Sequence, residues 1–219
     1  MQTKKNRKLL LSIIFSAVFI LVVAFAFGII FLSDKNEAKT VRVEGTSVST
    51  TDPIGDKDLL VYLGDEKAKN EILLVFDYSC PYCHQWTQEI YPAVDEFITN
   101  GDVKFRTQSM VFLNETSLKL AELDQNLKRN YPGYYFDVFF TLMSSDMNED
   151  WATDTYLNHL ITEYELNRDT LFEEPQFDAI NVTRKYTKAL EIDAVPAVFV
   201  NGNRVENPFS LEEIHSLLK

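Results

Sequence analysis

The sequence predicts an α/β fold in which a central sheet is flanked by helices and carries an inserted all-helical region, preceded by a single transmembrane helix. Three observations predict it. Residues 72–76 form a continuous apolar run, which is typical of a strand buried on both faces. Residues 115–167 show helical apolar spacing, so strands and helices share one domain. Residues 9–32 contain no charged side chain and are long enough to cross a bilayer.

Residues 9–32 are predicted to anchor the chain in the cell membrane. They follow a basic tail, residues 1–8, which carries four Lys or Arg side chains. The positive-inside rule therefore places this tail in the cytoplasm and everything after the span outside. A cleaved signal peptide is the alternative, but its apolar region is shorter, about 7–15 residues, and ends in a small-x-small site. We favour an uncleaved signal-anchor, a linker over residues 33–57 and an extracytoplasmic domain over residues 58–219.

The elements of this domain follow from local patterns. Strands are predicted at residues 59–63, 72–76, 103–111 and 197–200, the last of these opening a hairpin that turns at Asn201–Gly202. Helices are predicted at residues 85–99, across an inserted region at about residues 115–175, and at residues 178–190 and 211–218. Ser210 and Glu213 have the spacing of a capping box for the last of these helices.

The charge of the chain is strongly asymmetric. The net charge is -12, yet the first 33 residues hold four basic side chains and no acidic one. The rest of the chain carries 17 basic side chains against 33 acidic ones. Such an acidic surface repels phosphate backbones, so no nucleic-acid partner is expected. Its simplest interpretation is a solvated face, and whether it binds a metal such as Ca²⁺ stays open.

The chain has two cysteines, Cys80 and Cys83. A secreted domain held together by disulfides usually has four or more, widely spaced. A Cys-x-x-Cys pair where a strand runs into a helix instead indicates a redox site. Pro81 suits the first helical turn, and the helix dipole and free N–H groups then stabilise a thiolate on Cys80. Cys80 is therefore the expected nucleophile and Cys83 the shielded, resolving thiol.

Three other interpretations of the pair are weaker. A structural disulfide across a two-residue loop constrains the unfolded chain very little. A zinc site normally needs four ligands, and the chain has only three histidines to add. Residues 80–84 also match C-x-x-C-H, the attachment pattern of c-type haem, with His84 as axial ligand. Because the motif follows a buried strand, we expect no haem. We also expect no metal, a redox-active Cys80–Cys83 disulfide and a partly exposed His84.

Residues 76–83, Phe-Asp-Tyr-Ser-Cys-Pro-Tyr-Cys, resemble the active-site segment of the DsbA-like thiol oxidoreductases of bacterial cell envelopes. Val195–Pro196, just before the predicted strand at residues 197–200, resembles the cis-proline loop of the thioredoxin superfamily. The resemblance covers about residues 59–219 and implies a thioredoxin-like fold. It further implies that Pro196 is cis and faces the cysteine pair, and that Val195 contacts the substrate backbone.

The sequence departs from the family pattern near the cysteines. Between the two cysteines this chain has Pro81 and Tyr82. Glutaredoxins often have proline and tyrosine there, whereas the best-known DsbA proteins have histidine at the second of these positions. Tyr82 supplies no positive charge to Cys80. Many thioredoxin-like proteins also carry a buried carboxylate six positions before the first cysteine, where this chain has Leu74. Asp77 is the nearest acid, and it is expected to be either a proton shuttle or a surface cap.

The resemblance implies an enzyme that introduces disulfides into reduced exported proteins. It also implies a partner of the DsbB kind, a membrane thiol oxidase that restores the Cys80–Cys83 disulfide. The same fold can act as a disulfide reductase or isomerase, although isomerases of this family usually add a dimerisation region. A haem electron-transfer protein and a helical binding module are alternatives of other classes, and no sequence feature favours the binding module.

Overall fold

The computed structural model describes residues 52–219, so the predicted tail, transmembrane helix and most of the linker lie outside the described residues. Between residues 52 and 219, no helix has the length and apolar character needed to span a membrane. This part of the chain folds around one four-stranded sheet. Its strands are β1 (Asn70–Phe76), β2 (Val103–Ser109), β3 (Ala197–Val200) and β4 (Asn203–Arg204).

Helices fill the connections from β1 to β2 and from β2 to β3, and one more helix follows β4. In chain order they are α1 (Pro81–Glu89), α2 (Tyr91–Thr99), α3 (Glu115–Asn130), α4 (Tyr135–Ser144), α5 (Asp154–Glu163), α6 (Arg168–Leu171), α7 (Ala179–Leu190) and α8 (Leu211–Ser216). Four of them, α3 to α6, follow one another between β2 and α7 and form the helical insertion. The α/β class with an inserted helical region is therefore observed, as the sequence predicted.

The sheet has the strand order β2-β1-β3-β4. Strand β1 pairs in parallel with β2, which requires a crossover connection, and α1 and α2 supply it. On its other side β1 pairs antiparallel with β3, and β3 turns through the predicted hairpin into β4. Strand β1 is thus central, and its carboxyl end delivers the chain to the cysteine motif.

Side chains of β1 alternate between two apolar clusters, as the two faces of a strand require. Ile72, Leu74 and Phe76 pack into the larger cluster, which also contains side chains of α1, α2, α8 and the helical insertion. Leu73 and Val75 pack into the smaller cluster, which α7 closes. All five side chains are buried. The predicted burial of this strand on both faces is confirmed.

The strand predicted at residues 59–63 is wrong. A 3₁₀ turn occupies Lys57–Leu59, and only Leu63 reaches the sheet, through an antiparallel bridge to Phe105. Arg129 of α3 explains the difference, because its guanidinium bonds the carboxylates of Asp56 at 2.9 Å and Asp58 at 3.1 Å. These ion pairs hold the segment against α3 instead of along the edge of the sheet.

The single helix predicted at residues 85–99 is in fact two. Helix α1 already begins at Pro81 and ends at Glu89, and Ile90 separates it from α2. Pro92 lies in the first turn of α2, where its missing N–H and its ring prevent the preceding helix from continuing.

The predicted capping box of the last helix forms only in part. Ser210 accepts a hydrogen bond from the Glu213 N–H at 3.2 Å, as expected. The Glu213 carboxylate, however, accepts the N–H groups of Glu206 and Asn207. Glu213 therefore ties the loop after β4 to the start of α8.

Gly64, next to the Leu63 bridge, gives a test of this edge. Its φ is +94°, and an added Cβ would lie 2.8 Å from the Val103 carbonyl oxygen and 2.9 Å from Ile98 Cγ2. Gly55 has a φ of +71° but open space around it. We expect Gly55→Ala to cost about 1–2 kcal/mol from backbone strain alone, and Gly64→Ala to cost about 1–3 kcal/mol more from overpacking.

Denaturant unfolding followed by tryptophan fluorescence measures both losses. Equal losses for the two variants would show that the close approach of Gly64 to β2 does not constrain the fold.

Candidate active site

The cysteine motif lies at the junction of β1 and α1. Cys80 is the N-cap residue of α1, with an extended backbone (φ -89°, ψ 113°), and Pro81 takes the first helical position. The N–H groups of Cys83 and His84 bond the Cys80 carbonyl oxygen at 2.9 and 3.2 Å and close the first turn. This is the strand-to-helix placement that the sequence predicted, and it places the N–H groups of Tyr82 and Cys83 beside the Cys80 thiol.

The two thiols have very different environments. Cys83 is fully buried, whereas Cys80 keeps 6% of its surface exposed. A hydrogen bond from the Cys83 thiol lowers the pKa of Cys80 to about 7, assisted by the N–H groups of Cys83 and Tyr82 and opposed by burial. Burial strongly raises the pKa of Cys83, and its hydrogen bond to Cys80 adds to that rise. At neutral pH, therefore, the thiolate resides on Cys80.

The loop before β3 faces this pair. The Val195–Pro196 peptide bond is cis, as the resemblance implied. The carbonyl oxygen of Val195 lies 3.6 Å from Cys80 Sγ. Tyr82, in contrast, projects from the start of α1 and is 65% exposed. The site therefore presents a sulfur, a backbone carbonyl and an exposed aromatic ring in one region of the surface.

Asp77 is buried, so its interpretation as a surface cap is wrong. One carboxylate oxygen accepts the Ser79 N–H at 2.8 Å and the Ser117 hydroxyl at 2.7 Å. The other accepts the N–H groups of Phe112 and Leu113 at 2.8 and 3.3 Å. With four donors on its two oxygens, the carboxylate joins the end of β1 to the loop after β2. This arrangement favours an anchoring role over that of a proton shuttle.

His84 is also buried, which corrects the expectation of a partly exposed side chain. Its Nε2 lies 2.8 Å from the Tyr78 carbonyl oxygen, and its ring meets Trp151 edge-on with centroids 5.4 Å apart. Burial lowers the pKa of His84, so the imidazole is neutral at pH 7. An axial haem ligand needs a ring that can approach iron, and this ring is enclosed and bonded to the backbone. The residues therefore do not fit the c-type haem interpretation.

Two further side chains of the site, those of Ser79 and Asn114, were not identified from the sequence. The Ser79 hydroxyl donates to Asn114 Oδ1 at 3.0 Å, and Asn114 also caps α3 together with Ser117. From the sequence, Asn114 and Ser117 can be recognised as a helix cap at the start of α3. Its contact with the active-site turn cannot, because that contact depends on how the helical insertion packs. Leu74, at the position of the family's buried carboxylate, lies in the apolar core.

No group of three His, Cys, Asp or Glu side chains in the described part of the chain is arranged to hold a metal ion. The chemistry that the arrangement supports is that of the two sulfurs. A dithiol at a helix N-terminus, faced by a cis-proline loop, defines a thiol–disulfide exchange site of the thioredoxin type.

Comparison with known proteins agrees with this class. The model of the family described as "Thioredoxin" matches residues 57–219, and the chain belongs to this family. Disulfide bond formation protein D of Bacillus subtilis (strain 168) is 24% identical over 165 residues, covering 72% of this chain and 74% of that protein. The DsbA-like resemblance seen in the sequence is thereby confirmed.

Solved structures agree in fold. Oxidised BdbD from Bacillus subtilis superposes with a TM-score of 0.57 at 20% identity, over 74% of this chain and 92% of that one. MdbA, a thiol-disulfide oxidoreductase from Corynebacterium diphtheriae, superposes with a TM-score of 0.59 at 18% identity, over 73% of this chain and 90% of that one. At these identities the likeness establishes a shared fold.

The asymmetry of the two thiols can be measured directly. We expect iodoacetamide to alkylate Cys80 with an apparent pKa near 7. Cys83 should stay unreactive in the folded protein at pH 7–9, because burial raises its pKa. Rates measured from pH 5 to 10 on the reduced protein, with the modified residue identified by mass spectrometry, provide the test. The same measurement in denaturant is the control, since both thiols should then react alike, with a pKa of about 8.5.

Faster alkylation of Cys83 than of Cys80 in the folded protein would reverse the assignment of nucleophile and resolving thiol.

Proposed function

We propose that this protein is a thiol–disulfide oxidoreductase that introduces disulfides into reduced exported proteins through Cys80 and Cys83. The observation that carries the proposal is the asymmetry of the pair. Cys80 carries the only exposed surface of the pair and has a lowered pKa beside the Val195 carbonyl, whereas Cys83 is completely buried with a raised pKa. The name of the Bacillus subtilis relative, disulfide bond formation protein D, supports the same reaction.

The exchange begins with the oxidised enzyme. A substrate thiolate attacks Cys80 Sγ, the Cys80–Cys83 bond breaks, and Cys83 leaves and takes up a proton. A second substrate thiol then loses its proton and attacks the substrate sulfur of the mixed disulfide, which expels Cys80 as a thiolate. The substrate has lost two electrons to form its disulfide, and the enzyme has gained them as a dithiol. The Val195 carbonyl, next to Cys80, can accept a backbone N–H of the extended substrate.

The direction of the reaction depends on how well the site stabilises the Cys80 thiolate. Stabilising this thiolate stabilises the reduced enzyme, which makes the disulfide a better oxidant. The donors are the Cys83 thiol and the N–H groups at the start of α1. Tyr82 adds no charge, so we expect a moderately oxidising pair. Equilibration with glutathione buffers measures this, and a potential as reducing as that of thioredoxin, about -270 mV, would favour the reductase alternative.

Trapping of mixed disulfides tests the roles of the two cysteines. Cys83→Ser should accumulate mixed disulfides with exported proteins, because its Cys80 thiolate can attack a substrate disulfide and expel one substrate thiolate, and no Cys83 thiol is left to release the bound substrate again. Cys80→Ser should accumulate few or none, since Cys83 has no exposed surface and a raised pKa. Cells are quenched with acid and a thiol-blocking reagent and their proteins separated on non-reducing gels. The double variant Cys80→Ser/Cys83→Ser, which has no thiol, controls for non-specific capture.

Equal trapping by Cys83→Ser and Cys80→Ser would contradict the proposed division of roles.

We further propose that residues 9–32 keep the domain at the outer face of the cell membrane, with residues 1–8 in the cytoplasm. There a membrane thiol oxidase of the DsbB kind would restore the Cys80–Cys83 disulfide, so that no cofactor is needed besides this disulfide. The uncharged span behind a basic tail supports this topology.

Protease added to intact spheroplasts should degrade the domain, while a cytoplasmic marker protein survives. The chain should also stay in the membrane fraction after a carbonate wash. Recovery of a soluble product that lacks residues 1–32 would instead show that the span is a cleaved signal peptide.

A further inference from the structure

Tyr78 lies two residues before Cys80 and is bonded at both of its ends. Its carbonyl oxygen accepts a hydrogen bond from His84 Nε2 at 2.8 Å. Its hydroxyl donates to Asp124 Oδ1 on α3 at 2.9 Å. The side chain itself is fully buried, and its ring packs edge-on against Phe76. Tyr78 thus connects the cysteine turn to the helical insertion through the interior of the protein.

The Asp124 end of this connection is rigidly held. Its carboxylate also accepts the Ser109 hydroxyl at 3.0 Å and the Tyr135 hydroxyl at 2.8 Å, and it forms an ion pair with Lys128 at 3.0 Å. Burial, and secondly the charge of Asp124, raises the pKa values of Tyr78 and Tyr135, so both hydroxyls stay protonated and donate. A buried ion pair with every partner satisfied fixes a geometry more than it adds stability.

The His84 end closes the turn from the other side. A carbonyl oxygen can only accept, so Nε2 carries the hydrogen of this bond. His84 directly follows Cys83, and Tyr78 precedes Cys80. The bond between them therefore brackets the motif. The His84 ring also packs against Trp151, whose Nε1 donates to the Leu142 carbonyl on α4 at 3.1 Å.

We infer that Tyr78 is a positioning residue, a strut between His84 and Asp124 that sets the distance from the Cys80 sulfur to the N–H groups of α1. This inference rests on the proposed function, because it concerns the reactivity of the same site. The physical reason is the steep distance dependence of hydrogen bonds to sulfur. A turn released at either end of the strut can move Cys80 away from its donors, and the thiolate is then less stabilised.

The test compares variants that cut one end of the strut at a time in the full-length protein. Tyr78→Phe removes the hydroxyl but keeps the ring, and it leaves Asp124 three donors. His84→Leu removes the Nε2 donor, whereas His84→Gln retains an N–H near the same place. Asp154→Asn, at an exposed carboxylate of the insertion that pairs with Lys119, is the matched control.

The readouts are the apparent pKa of Cys80 from its rate of alkylation by iodoacetamide, and the equilibrium of the disulfide with glutathione. For Tyr78→Phe and His84→Leu we expect a higher Cys80 pKa and alkylation at pH 7 slowed about three- to ten-fold. The disulfide should become correspondingly less oxidising. His84→Gln and Asp154→Asn should both behave as the unsubstituted protein.

The double variant Tyr78→Phe/His84→Leu shows whether the two hydrogen bonds of Tyr78 act together as one strut or as two independent structural contacts. If the two ends act in series, the double variant should alter the Cys80 pKa no more than the larger single change. Additive effects, or single variants that keep the Cys80 pKa of the unsubstituted protein, would overturn the inference. If Tyr78→Phe does not fold, the pair His84→Leu and His84→Gln still decides, since equal behaviour of these two contradicts the strut.

These readouts need no protein substrate, so the two proposals can fail separately. Unchanged Cys80 chemistry with normal substrate trapping would refute only the strut. Absent trapping with the expected shifts would refute only the proposed function.

Discussion

The first turn of α1 is the feature on which the rest of the site depends. A helix start carries N–H groups outside the regular helical bonding pattern, and here those of Tyr82 and Cys83 help to lower the pKa of the neighbouring Cys80 thiol. Their effect is useful only if the chain reaches Cys80 in an extended conformation and turns into the helix at once. The burial of β1 on both faces supplies the first condition and Pro81 the second. The central strand and the reactive thiol are thus parts of one arrangement.

Asp77 shows how the surroundings limit this stabilisation. Its carboxylate holds the loop after β2 against the active-site turn through four donors. The Cys83 hydrogen bond is the largest influence that lowers the pKa of Cys80, and the charge of Asp77 opposes it weakly. Asp77 therefore holds the loop after β2 against the active-site turn, while its negative charge makes the Cys80 thiolate slightly less favourable. Such a balance suits the moderately oxidising pair that we propose.

Local patterns predicted the features that local interactions determine. The apolar run at residues 72–76, Pro81 and the cysteine spacing were enough to place the reactive thiol. Pro92 is also a sequence signal for the end of α1, but the apolar residues on both sides of it have the spacing of one continuous helix. Contacts between distant segments could not be predicted. The burial of His84 depends on Trp151, and the course of residues 57–63 depends on Arg129 of α3.

The buried state of Cys83 bears on the rate of the proposed reaction. Once a substrate is bound to Cys80, Cys83 can release it only as a thiolate, and that is the step a reductase requires. Burial is the largest cause of the raised Cys83 pKa. A protonated Cys83 attacks a mixed disulfide slowly, but the same raised pKa makes Cys83 a poor leaving group when a substrate thiolate attacks the enzyme disulfide. The burial of Cys83 therefore slows this exchange in both directions, and the direction depends on how well the site stabilises the Cys80 thiolate.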